Sequence, residues 1–194
     1  TGYGKAYSHL DDVRKRQDSV KDMAAAVDYL KKTGQIDPRR IAVMGGSYGG
    51  FMTLAGLTSY PELFAAGVDV VGIANYITFL EKTSSYRRAN RAAEYGDPDK
   101  DRDFLVQVSP INKVDKIVAP LMILQGANDP RVPQNEADQM AAAIRARGGV
   151  VEYLLYPDEG HGITKLKNRI DAYPKIVAFL DRYVKNRMTA GPRG

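Results

Sequence analysis

The sequence predicts an α/β fold: a mostly parallel sheet flanked by helices. Three observations carry that reading. Short apolar runs suited to strands buried on both faces alternate with longer segments of helical periodicity. The connections between them are brief, as strand–helix–strand units require. No internal repeat, low-complexity stretch or Gly/Ser linker interrupts the 194 residues, so a single domain over 1–194 is expected.

The elements follow in order. TGYGKAY (1–7) reads as loop. Across 18–32 the apolar positions Val20, Met23, Ala24, Val27 and Leu30 recur at helical spacing, and Gly34 supplies a stop. RRIAVMG (39–45) is a short apolar strand, followed by a helix over 48–59 that Pro61 ends. FAAGVDVVG (64–72) is the second strand, and an irregular, mainly helical stretch runs on to about residue 108. APLMILQG (119–126) is a third buried strand. Pro133 opens a helix whose apolar face is Ala137, Met140, Ala141 and Ile144, stopped by Gly148 and Gly149. VVEYLLY (150–156) is the fourth strand, and a last helix carries Tyr173, Val177, Leu180 and Val184 along one side.

Composition narrows the function. A hydrophobic fraction of 44% and a charged fraction of 26% are those of a water-soluble globular chain. No run reaches the length of a membrane-spanning helix, and no secretory signal opens at Thr1, so no membrane partner is expected and a cytoplasmic address fits. Without cysteine there is no disulfide, thiol chemistry or thiolate metal site. The net charge of +5 is spread among acids, and the densest basic cluster, RRANR (87–91), reads as a solvated helix face. No nucleic-acid partner is expected.

In parallel sheets the chemistry gathers beyond the C-terminal ends of the strands. Three of those ends carry a reactive residue: Ser47 in GGSYGG, Asp129 in GANDPRVP and His161 in PDEGHG. Acyl transfer needs that set. A serine hydroxyl is a weak nucleophile until an imidazole takes its proton, and a carboxylate fixes the imidazole's tautomer and charge. Gly-x-Ser-x-Gly between a strand and a helix is the nucleophile-elbow pattern, with glycines where side chains would collide. The chain order Ser, Asp, His also belongs to it.

The glycines could instead cradle a phosphate. Gly45 and Gly50 have P-loop spacing, but Phe51 stands where that motif needs Lys, and the reading fails. His9 precedes the first long helix and suits a surface or capping role. Asp158 and Glu159 neighbour His161, but Asp129 at a strand end is the better orienting acid. DPDKDRD (97–103) begins like a calcium loop, yet Arg102 and Val108 replace its Gly and Glu, so it is a solvated acidic turn. No zinc motif is present.

GGSYGGFMTLAGLTSYPELFAAGV, SPINKVDKIVAPLMILQGANDPRVP and YPDEGHGI together resemble the catalytic domain of the prolyl oligopeptidase family, in its acylaminoacyl-peptidase and dipeptidyl-peptidase-like branch. The resemblance runs from residue 1 to about 183. It implies an α/β-hydrolase fold and cleavage of short peptides through an acyl-enzyme, with no cofactor and no metal. On that pattern Ser47 is the nucleophile, Asp129 the acid and His161 the base. The Tyr48 backbone N–H would donate to the oxyanion. Arg131 resembles the residue that holds a substrate carbonyl, Val132 lines the same area, and Ile73, Tyr76 and Phe79 resemble the specificity wall, against ordinary packing as the alternative. Members of the family carry a β-propeller and further strands before the segment corresponding to TGYGKAY, including a second oxyanion donor. The chain therefore reads as the C-terminal portion of a hydrolase domain. Its RRIAVMG strand would then have an open edge, expected to recruit another copy or an N-terminal portion. Two alternatives to a peptidase stand: a small-acyl esterase with the same triad, and an inactive fragment serving only folding or association.

Overall fold

The computed structural model describes residues 2–83 and 85–186. Its sheet runs β1 (Ala42–Gly46), β2 (Ala66–Val70), β3 (Leu121–Gly126) and β4 (Val151–Tyr156), in that spatial order and all parallel. The four strands fall where the apolar runs place them along the chain, each beginning one to three residues later.

Alternation along β3 shows how the layers are built. Leu121 and Ile123 point to one face, into a core shared with Val27 of α2 (Arg16–Lys32), Leu54 and Leu57 of α3 (Tyr48–Ser59), and Met140 of α7 (Asn135–Ala146). Met122 and Leu124 point to the other, where they meet Ala172, Ile176 and Phe179 of α8 (Leu166–Leu180). Every residue of β3 is buried, as a strand covered on both faces must be.

Two expectations are corrected and one is filled in. The first residues are not all loop, since Gly4–Ser8 form a short helix, α1. The stretch before residue 108 divides into α4 (Tyr76–Glu81), α5 (Ser85–Tyr95) and α6 (Arg102–Val108), with Asn75 capping α4 by accepting from the Ile77 N–H at 3.1 Å. Finally, α8 buries the expected side only in part: Leu180 and Val184 pack partly against the core, but Tyr173 and Val177 are 52% and 57% exposed, while Ile176 and Phe179 are 6% and 1% exposed. This helix has two apolar stripes, and the sheet takes the one that contains the small Ala172.

Candidate active site

The turn after β1 is tight. A Cβ on Gly45 would lie 2.2 Å from the Gly49 carbonyl oxygen, so strand and helix can meet there only without that side chain. Gly49 itself has open space where a Cβ would go, so the collision argument holds for the first glycine of the motif and not the second. Between them Ser47 adopts φ 59° and ψ −117°, a conformation L side chains rarely take. Hydrogen bonds hold it: its N–H donates to the Val70 carbonyl at 2.8 Å, and its own carbonyl accepts from Gly50 and Phe51.

Two neighbouring loops supply the rest. Asp129 follows β3 and His161 follows β4, and the loops touch closely because Gly126 has no side chain; a Cβ there would sit 2.1 Å from the Gly160 carbonyl oxygen. The Asn128 N–H donates to the Glu159 carbonyl at 2.9 Å, and Asn128 Nδ2 donates to the Pro157 carbonyl at 2.7 Å. Glu159, read from sequence only as a weaker rival to Asp129, is buried and structural. Its carboxylate accepts from Thr164, Asn168 and the Lys165 N–H, pinning the loop that carries His161. Asp158 pairs with Lys165 and Lys167 at the surface, and His9 meets Asp12 there.

The result is a hydrogen-bonded line. Ser47 Oγ lies 2.9 Å from His161 Nε2, and His161 Nδ1 lies 2.7 Å from Asp129 Oδ2. The second Asp129 oxygen accepts from the N–H groups of Arg131 (2.7 Å) and Val132 (2.9 Å), which fixes the carboxylate's orientation. Because an ionised carboxylate only accepts, Nδ1 must carry a proton, which leaves the Nε2 lone pair facing the serine hydroxyl. Tyr48 is the first residue of α3, so its N–H belongs to the helix terminus with no i−4 carbonyl to bond.

Ser47 and His161 open into a cavity of about 270 Å³. Ile73, Phe79, Val132 and Arg131 line it. Tyr76 does not: it is fully buried behind the wall, packed against Phe51, Phe79 and Tyr95. The unanticipated wall is α5, which contributes Arg87, Asn90, Arg91, Glu94 and Tyr95. RRANR is therefore not simply a solvated face. Its arginines recur at i, i+4, and Glu94 and Tyr95 continue the same side, a spacing visible in the sequence.

Three buried ionisable residues sustain the site without touching the cavity's reactive end. Arg16, 1% exposed, donates to the Glu94 carbonyl at 2.9 Å and lies 4.9 Å and 4.5 Å from the rings of Tyr48 and Tyr95. Glu136 on α7 accepts from the N–H groups of Ala74 and Asn75, securing the segment that bears Ile73 and Phe79; burial pushes its carboxyl up to about 6 despite those bonds. Asp69 on β2 sits beneath Gly50 and Gly72, and burial pushes it up to about 7. Among the described residues no cluster of His, Asp and Glu could hold a metal, and no helix is long and apolar enough to cross a membrane.

A parallel sheet with helices on both faces and a serine elbow at a strand end defines an α/β-hydrolase. A model of the prolyl oligopeptidase family matches residues 1–187, and the chain belongs to that family. It is 41% identical over 173 residues to dipeptidyl aminopeptidase BIII of Pseudoxanthomonas mexicana, covering 87% of this chain and 25% of that protein. The acylamino-acid-releasing enzyme of Arabidopsis thaliana is 29% identical over 192 residues, covering 95% of this chain and 25% of that protein. Among solved structures, a puromycin-hydrolyzing peptidase of Mycobacterium tuberculosis matches with a TM-score of 0.81 and 30% identity, over 90% of this chain and 26% of that one. The chain spans about a quarter of the length of the curated relatives it matches.

Proposed function

We propose that residues 1–194 are the C-terminal portion of a serine-peptidase hydrolase domain. It cleaves short peptides near their N-terminus, as acylaminoacyl- or dipeptidyl-peptidases do. The observation that carries the proposal is the unbroken line from Ser47 Oγ through His161 to Asp129, with a cavity opening at the serine. In this reading Ser47 Oγ attacks the scissile carbonyl carbon and its proton passes to His161 Nε2. Asp129 stabilises the imidazolium through Nδ1–H, and the Tyr48 N–H meets the oxyanion. His161 then gives the proton to the leaving amine, and water hydrolyses the acyl-serine by the reverse relay. Arg131 holds a substrate carbonyl, with Val132, Ile73 and Phe79 around the acyl group. A fluorophosphonate probe tests the nucleophile directly. It should label Ser47 of the wild-type chain and not Ser47→Ala, and the substitution should lower peptide kcat by several orders of magnitude with the fold unchanged. Labelling that persists in the variant, or that is absent from the wild type, sinks the proposal.

A further inference from the structure

The cavity before Ser47 carries more positive charge than an apolar acyl pocket requires. Arg87 and Arg91 stand one turn apart on α5, and Arg131 enters from the loop of Asp129. Glu94 is the single carboxylate residue on the described lining. Arg91 is anchored, but only by neutral groups. Its guanidinium donates to Thr83 Oγ1 and to the Arg131 carbonyl at 2.9 Å, and it lies 4.2 Å from the Phe79 ring centre. Among the described residues, no carboxylate forms an ion pair with Arg87, Arg91 or Arg131.

That arrangement is costly when empty. Arg87 and Arg91 are both partly buried, and like charges four residues apart on a helix repel. Burial, and then the neighbouring Arg87, pull the proton affinity of Arg91 down, and the weaker opposing influence of Tyr95, Asp129 and Glu94 does not make up the difference. A bound anion offsets both effects by attraction, and a guanidinium fork fits the two oxygens of a carboxylate. Two of the five guanidinium donors of Arg91 are used by its anchors, which leaves donors to spare.

We infer that the acyl portion of the substrate carries a carboxylate: an acidic side chain on one of the two residues before the scissile bond, received by Arg87 and Arg91. This rests on the assignment of Ser47 as nucleophile. The methylenes of such a side chain would lie along Ile73 and Phe79, and its head at the arginines.

Acetyl-dipeptidyl diphenyl phosphonates measure this. Ser47 Oγ bonds to phosphorus as phenoxide departs, and the serine proton leaves with it through His161 as phenol. Probes with Glu or Gln at either position differ by one charge and almost no volume. At one of the two positions Glu should react at least tenfold faster than Gln. The ratio should shrink in high salt, collapse toward one in Arg87→Gln and Arg91→Gln, and survive in part in Arg91→Lys. Ratios near one at both positions in the wild type overturn the inference. A simple fluorophosphonate run alongside separates the two readings, because failure of that probe strikes the nucleophile and not the anion site. Calorimetric titration of Ser47→Ala with acetyl-glutamate amide, against acetyl-glutamine amide, reads the anion site without any chemistry. Saturable binding confined to the glutamate compound supports it, and equal or absent binding of both overturns it.

Discussion

Ser47 illustrates how single residues are constrained here: its φ of 59° is tolerated because strand pairing, the α3 terminus and Gly45 all demand the same turn. Asp69, buried beneath Gly50 and Gly72, offers a measurable consequence of burial. Its carboxyl is pushed up to about 7 in the folded chain, whereas an unfolded Asp releases its proton near 3.8. Between those values the folded state binds more protons, so the contribution of Asp69 to stability falls as pH rises through the interval. Asp69→Asn removes that dependence. Urea unfolding at pH 5 and pH 8 should show the variant gaining on the wild type at the higher pH, at no more than about 1.4 kcal/mol per pH unit. An unchanged difference between the two pH values would mean that Asp69 ionises normally. Nothing in the sequence around GVDVV marked this residue, because its environment is made by Gly50 and Gly72 closing over it.

At the scale of elements, α8 separates what periodicity can and cannot say. Helical spacing announces the helix but offers two apolar stripes, and only the sheet chooses between them. Phe179→Ala should cost about 3–5 kcal/mol, since it empties a site in the core against β2 and β3. Val177→Ala, on the exposed stripe, should stay within about 0.5 kcal/mol. Chemical denaturation of the two variants decides the matter, and similar losses in both would mean the helix is rotated from its described packing. The same limit applies to α5. Its amphipathic spacing is legible, yet whether Arg87 and Arg91 face water or a cavity depends on where Thr83 and the Arg131 carbonyl lie.

For the whole molecule the outstanding feature is β1. Among the described residues it pairs with β2 alone, and Met44 is 52% exposed beside unpaired backbone groups. Open, apolar edges recruit strands because bare N–H and C=O groups and exposed side chains are both unfavourable. The edge is therefore expected to be covered in solution by a second copy or by another segment of the hydrolase. Light scattering of the 194-residue chain should show association, and hydrogen exchange should be slowed along residues 42–45. A stable monomer with fast exchange there would falsify this expectation.

Readable from the chain alone are the α/β class, the placement of the four strands and the candidate trio. Each rests on local signals: apolar runs, helical spacing, and glycines whose absence of a side chain permits one sharp turn. Ser47, Asp129 and His161 were legible because each ends a strand, and parallel strands bring their ends to one side. Long-range packing settles the stripe α8 buries, the retreat of Tyr76 behind the wall, the structural use of Glu159 and Glu136, and the entry of α5 into the cavity. Those outcomes depend on contacts between segments tens of residues apart, such as Ala74 with Glu136 and Arg91 with Arg131. Packing selects among faces that local periodicity leaves equivalent, and burial then sets the charge state of what it encloses.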